Sequence, residues 1–292
     1  HVLLGHAIST NHVTSLPHCH LFCVEHPKCL SYNFQYVSAS PSHECEINYA
    51  TGKMCPHNIT RKEGFKYYED TEIRTCGTRC PETNEADFQF SFPNKTVHDY
   101  VHLNLQDYNP SLPALTEFTI CLWIRVSDQS DDGALFSYSL PDEHNEILIT
   151  DYTSLRFMIN GYLRTSERAV NDDRWHHICT TWENTAGTWS VYIDGASVAQ
   201  GDEFETGHVI SSDGTIILGQ DQDSHGGEFE QVQSFSGEMY GVNMWNAVLS
   251  EEEILCMFRS CSSGIGNYLK FTDFVGGSHG NVTRKSSNTC FP

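Results

Sequence analysis

Residues 175–201 read WHHICTTWENTAGTWSVYIDGASVAQG. Apolar, aromatic and β-branched residues alternate with polar ones through HHICTTW (176–182) and again through TWSVYIDG (188–195), the period-two pattern of half-buried strands. Asp194-Gly195 falls between the second run and ASVAQG, and a two-residue Asp-Gly step is a strong signal for a tight hairpin. Runs of the same kind recur on both sides: TICLWIRV (119–126), ALFSYSL (134–140), EILITDY (146–152), LRFMING (155–161) and GTIILG (214–219). Short strands spaced by roughly ten to fifteen residues predict a two-sheet sandwich. Ser250 and Glu253 form a capping box ahead of Ile254, Leu255, Met257 and Phe258, which predicts one short helix.

The chain has 292 residues, enough for about two domains. Lys and Arg total 17 against 38 Asp and Glu, a formal net charge of -21. Such a surface repels nucleic acid and anionic membrane and suits cations, cationic partners or a mineral. The same charge also simply keeps a protein soluble. No apolar run approaches the roughly 20 residues of a membrane span. The sequence opens at His1 without Met, which reads as a removed signal peptide or a fragment. Twelve cysteines without zinc-ribbon pairs imply disulfides and an oxidising compartment. The three sequons at Asn58, Asn94 and Asn281 agree, and the expected location is secreted, extracellular.

The stretch GQDQDSHGGEFEQVQ (219–233) gathers Asp221, Gln222, Asp223, Glu230 and Gln233 around Gly226 and Gly227. Carboxylates and amide carbonyls are hard oxygen ligands, and a flexible loop can wrap the roughly 6–8 of them that calcium takes. A solvated acidic hairpin explains the composition equally well, and the spacing is not that of an EF-hand.

These stretches together carry a resemblance. The words FPNKTVHDYVHLN (92–104), FSYSLPDEHNEILI (136–149), WHHICTTW (175–182) and GVNMWNAVLSEEEI (241–254) resemble the pentraxin family in order and spacing, from about Phe88 to about Phe274. His177, Cys179, Thr181 and Trp182 meet the family signature, and Asn184 departs from its last position. The resemblance implies a flattened jelly roll of the legume-lectin and laminin-G kind, with Cys121 bound to Cys179. It implies two calcium ions side by side on one face. Their ligands would be Asn145, Asp221, Gln222, Asp223, Glu230 and Gln233, with Asp221 replacing a longer Glu. His144 stands where the family places a ligand Asp. Imidazole is a poor calcium ligand, so one site loses a charge and weakens. Asp142 or Glu143 is the candidate substitute. The choline pocket of some members maps onto Thr150 and Leu163, neither of which suits a quaternary ammonium, so phosphocholine binding is not carried over.

Residues 1–70 read differently. Ser15 and Pro17 start a helix in LPHCHLFCVEHP, and Cys19 and Cys23, four apart, share one face. CLSYNFQYV (29–37), CEIN (45–48) and FKYYED (65–70) read as strands. This helix-and-sheet pattern resembles the PAN/apple module, a small α+β domain, which implies Cys19–Cys45 and Cys23–Cys29 pairs. Zinc is the competing reading, since His18, Cys19, His20, Cys23 and His26 are zinc ligand types. Residues 71–87 form a polar linker in which Cys76 and Cys80 pair together or reach Cys55, Cys290 or another chain. Cys256 and Cys261 are a further candidate pair. The second domain is expected over 88–276, with a C-terminal tail over 277–292.

No Gly-x-Ser-x-Gly, His-Glu-x-x-His or phosphate loop is present. Cys179 is committed to a disulfide by the resemblance, and Asp131-Asp132 and Asp172-Asp173 look like solvated turns. The chain therefore reads as a non-enzymatic, calcium-dependent recognition protein, a homo-oligomer binding a glycan or an anionic surface. The alternative is an acidic structural protein bound to extracellular matrix proteins or mineral.

Overall fold

The computed structural model describes residues 1–26, 29–38, 40–48, 51, 58–69, 88–108, 111–126, 128, 133–260 and 264–286. The chain divides into two compact units, one taking residues 1–84 and 252–262, the other 85–251 and 263–290. The expected linker, and Cys55, Cys76, Cys80, Cys261 and Cys290, lie outside the described residues. Cys256 is disulfide-bonded, but no described residue is its partner.

In the first unit, β1 (Val2–Leu3), β2 (Ala7–Val13), α1 (Leu16–Glu25), β3 (Ser31–Gln35), β4 (His43–Asn48), β5 (Ile59–Thr60) and β6 (Phe65–Glu69) follow in order. The sheet runs β2-β4-β3-β6, and β1 pairs with β5. Ser15 caps α1 by accepting the His18 N–H at 3.4 Å, and Pro17 sits where its missing N–H costs nothing. Cys19 and Cys23 are the buried residues of the helix. They bind Cys45 and Cys29 respectively, stapling helix to sheet around Val13, Tyr32, Phe34 and Ile47. Each bridge in so small a core contributes about 2–4 kcal/mol. The zinc reading falls here, because both sulfurs it needs are oxidised. Buried Asn33 holds β1 onto β3 by accepting the Leu3 N–H at 2.8 Å and donating to the Leu3 carbonyl at 2.9 Å.

The second unit is two seven-stranded antiparallel sheets. Its strands are β7 (Phe88–Phe92), β8 (Tyr100–Asn104), β9 (Glu117–Arg125), β10 (Phe136–Ser139), β11 (Ile147–Thr150), β12 (Arg156–Ile159) and β13 (Tyr162–Thr165). They continue through β14 (Trp175–Glu183), β15 (Trp189–Ile193), β16 (Ala196–Gly201), β17 (Thr215–Leu218), β18 (Gly237–Trp245), β19 (Ser278–His279) and β20 (Thr283–Ser286). One sheet runs β13-β12-β11-β10-β17-β8-β19, the other β16-β15-β14-β9-β18-β7-β20. The C-terminal stretch expected as a tail instead supplies an edge strand to each sheet, because β8 and β7 need hydrogen-bond partners there. The helix after Ser250 is α2, Glu251–Ser260, which from Glu252 onward is grouped with the first unit and buries Ile254 and Met257.

The longest ladder pairs β9 with β14 from Arg125↔Trp175 to Glu117↔Glu183 and sets Cys121 opposite Cys179. Their disulfide closes a separation of 58 residues, worth about 4 kcal/mol in the chain-entropy model. Phe118 on β9 meets Phe157 on β12 across the sandwich, at 6.1 Å between ring centroids. Asp194 and Gly195 both have positive φ, 53° and 78°, as the tight turn joining β15 to β16 requires.

That turn is clamped. His176 Nδ1 lies 2.8 Å from Asp194 Oδ2 and Nε2 lies 3.0 Å from Asp172 Oδ1. Burial pushes the imidazole pKa down, but the two carboxylates outweigh it and the net shift is upward. A raised folded pKa gives stability that is whole below the ordinary value of 6.5 and is lost as pH rises through the folded value. The melting temperature is therefore expected to fall, as pH rises above the ordinary imidazole value, more in the unaltered protein than in a His176→Gln variant. Calorimetry checks this, and equal slopes would remove the clamp from the account.

Candidate functional site

The chain leaves β17 at Gly219, whose φ of +88° and contact with the Phe92 ring leave no room for a side chain. It then folds back over the outer face of the sheet. Two glutamines with no exposed surface hold it there. Gln222 donates through Nε2 to the carbonyls of Ser137 at 2.9 Å and Thr215 at 3.1 Å, while its Oε1 accepts the Gly226 N–H at 2.9 Å. Gln220 donates to the carbonyls of Thr96 at 2.8 Å and Asp99 at 2.9 Å and accepts from Ser234 Oγ at 2.8 Å. His225 donates from Nδ1 to the Ser139 carbonyl at 3.2 Å, which carries the loop to the far end of β10. The Phe235 N–H closes the base on the Gly219 carbonyl at 2.9 Å.

Asn145 arrives at that same end. Tyr138 of β10 pairs with Ile147 of β11, and Asn145 stands two residues before it. Its backbone is fixed on both sides: its N–H donates to Glu143 Oε1 at 3.0 Å, and its carbonyl accepts from the Gly161 N–H at 3.0 Å. Its side-chain Oδ1 is buried without a hydrogen-bond donor, and so is Gln233 Oε1. Gln233 Nε2 donates to Asp221 Oδ2 at 3.2 Å, and Asp221 is 7% exposed. A buried acceptor without a donor costs about 1–3 kcal/mol. Gln233 Oε1 beside the Asp221 carboxylate, and the buried Asn145 Oδ1, are hard oxygens that suit a hard cation in chemical type.

Asp223 is half-buried, and Glu230 and His144 are exposed. Asp221, Asp223 and Glu230 do not bring three carboxylates within 4.8 Å of one another. Among the described residues the trio that does gather so closely is Cys121, His177 and Cys179, and there the two sulfurs are a disulfide. Gln222 spends both ends of its side-chain amide on anchoring the loop.

Two supports went unread in the sequence. Asn184 donates to the His208 carbonyl at 2.8 Å, and His208 Nε2 lies 2.7 Å from Glu146 Oε1. Glu146 is 1% exposed. Burial pushes its carboxyl pKa up, and His208 opposes that shift. The chain of contacts pins the residue that follows Asn145. Gln220 was also passed over. Neither has a local signal in sequence, because Asn184 and His208 act on partners more than twenty residues away and Gln220 donates to carbonyls more than a hundred away.

Fold and site define a class: a lectin-like two-sheet binding module, joined to a small disulfide-stapled domain. The particular family follows. Residues 89–283 match the model of the Pentaxin family and residues 1–72 that of the PAN domain, so the chain belongs to the pentraxin family. It is 34% identical to neuronal pentraxin-2 of Cavia porcellus over 205 residues, which is 70% of this chain and 47% of that protein. Human neuronal pentraxin-2 is 33% identical over the same length. The chain spans about half the length of these relatives. Its fold matches a heptameric SAP-like pentraxin from Limulus polyphemus with a TM-score of 0.59 at 23% identity, over 70% of this chain and 97% of that one.

Replacing Gln222 by Ala is expected to leave the Ser137 and Thr215 carbonyls without their donor, at a cost of about 1–3 kcal/mol. Amide exchange should quicken across residues 220–227 first. Denaturant melts with exchange mass spectrometry read both, and an unmoved exchange pattern would show that the amide does not anchor the loop.

Proposed function

We propose that this is a secreted, extracellular, calcium-dependent recognition protein that binds a glycan or an anionic surface multivalently. The observation that carries this reading is the pair of buried, donorless oxygens, Asn145 Oδ1 and Gln233 Oε1, with Asp221 beside Gln233. Asn145, Asp221, Asp223, Glu230 and Gln233 would hold the ions through side chains, and Gln222 through its carbonyl. Two ions are proposed, the one nearer His144 weaker for want of a carboxylate. A bound cation supplies the positive charge that an anionic or hydroxylated ligand needs on so acidic a surface. The chain's own residues do the rest: the glutamines hold the loop, and β10, β11 and β17 set its distance from Asn145.

Oligomerisation would turn weak single-site contacts into avidity, and the heptameric Limulus relative supports it. The PAN/apple module would add a second contact. Disulfides and sequons support secretion. Asn94 and Asn281 are exposed and ready to carry glycan, whereas Asn58 is half-buried with its amide 2.6 Å from His6 Nε2. A second reading, an acidic matrix- or mineral-associated protein, rests on the net charge of -21.

The test is a thermal melt of the whole chain in calcium and in chelator, beside an Asp221→Ala, Asp223→Ala version. A site filled at about 100 times its dissociation constant adds roughly 2.7 kcal/mol, or about 5–10 °C for a domain of this size. A rise confined to the unaltered protein supports the site. No rise at millimolar calcium would leave the acidic structural reading standing instead.

A further inference from the structure

The three sequons do not stand alike in the fold. Asn94 and Asn281 lie in exposed connections, the first between β7 and β8 and the second between β19 and β20. Asn58 stands at the head of β5, which Ile59 and Thr60 form. Ile59 pairs with Leu3 and Thr60 with Val2 of β1. The Asn58 carbonyl accepts the Leu4 N–H at 3.0 Å. Val2 and Leu3 are buried, and Asn33 of β3 also grips Leu3. The sequon is thus held through its backbone as part of a strand pair.

Its reactive atom is held too. An asparagine amide nitrogen can only donate, and that of Asn58 donates to His6 Nε2 at 2.6 Å. His6 is 1% exposed. Burial holds its imidazole below the ordinary pKa, which keeps the ring neutral and able to accept. N-glycosylation uses the same amide nitrogen as nucleophile. One of its N–H bonds is exchanged for a bond to the anomeric carbon of a lipid-pyrophosphate-linked oligosaccharide, and the proton and the lipid pyrophosphate leave. The transferring enzyme must hold the peptide by its backbone and reach that half-buried nitrogen, and here both are engaged.

We propose that closure of β1 on β5, fixed by His6, withholds Asn58 from N-glycosylation while Asn94 and Asn281 stay open to it. This rests on the secreted reading above. Everything that closes the sequon precedes it in the chain. β1, His6, Asn33 and the cysteines of both staples reach the oxidising compartment before Asn58 does. The β1–β5 flank of the first unit is thereby left bare of sugar, although its sequence carries the signal for it.

The experiment expresses the whole chain in animal cells behind a signal peptide. Glycans are released enzymatically in heavy-oxygen water, and peptide mass spectrometry reads each occupied asparagine as a labelled aspartate. Both the secreted and the intracellular pools are read, so a variant that fails to leave the cell still reports. Label is expected at Asn94 and Asn281 and in few molecules at Asn58. A His6→Ala variant should raise occupancy at Asn58 severalfold. His6→Gln, whose side-chain carbonyl can still accept from the amide, should keep it low. Asn58 labelled as fully as the other two sites overturns the inference while the secreted reading stands. So does a His6→Ala variant that leaves Asn58 bare, or a His6→Gln variant as occupied as the alanine one. Label at none of the three asparagines overturns both.

Discussion

A polar loop can lie on a buried sheet only if its backbone and side chains find partners, and in this protein two glutamine amides supply them. Gln220 and Gln222 are both fully enclosed, and each bonds through both ends of its amide. Inside the protein an amide left unanswered would cost about as much as a lost core contact. The positions of Asp221, Asp223 and Gln233, and of Phe229 on the loop's outer flank, all follow from that anchoring.

The sheet under the loop is itself set by strand register. A shift of one residue along β10 would turn Ser137 inward and present Phe136 to the loop. The sandwich guards against such slips by long ladders, above all β9 with β14, and by ring contacts between its sheets. The small first unit has no comparable core and relies on covalent staples, with Cys19 and Cys23 drawing its helix onto β3 and β4.

Where elements have a local signal, they were legible. HHICTTW, TWSVYIDG and the Asp194-Gly195 turn became β14, β15 and their hairpin because alternation and turn chemistry are properties of neighbouring residues. β18 was not legible: GEMYGVNMW contains two glycines and an asparagine, and it is a strand because β9 and β7 flank it. β19 and β20 are polar and exposed, and only the bare edges of two sheets recruit them. Half of the candidate site was similarly visible. Oxygen-bearing residues at 221–233 announce a cation loop by composition. That Gln222 turns inward, that Glu230 stays in solvent, and that Asn145 Oδ1 is buried without a donor are consequences of how the loop folds back.

Sequence alone determined the class of this protein: an acidic, cysteine-rich chain of antiparallel strands, with a family pattern from Phe88 to Phe274 and a loop of hard oxygen ligands. These follow from residue type and short-range spacing, which act within one or two turns of chain. Tertiary structure decided which oxygens are buried without donors, which amides are anchors, and which rings stack beside the loop. Several of those facts depend on contacts between residues more than a hundred positions apart, such as Tyr100 with Phe229 and Thr96 with Gln220. No local pattern encodes such a meeting, because it is set by strand register and by the need to satisfy every buried polar group.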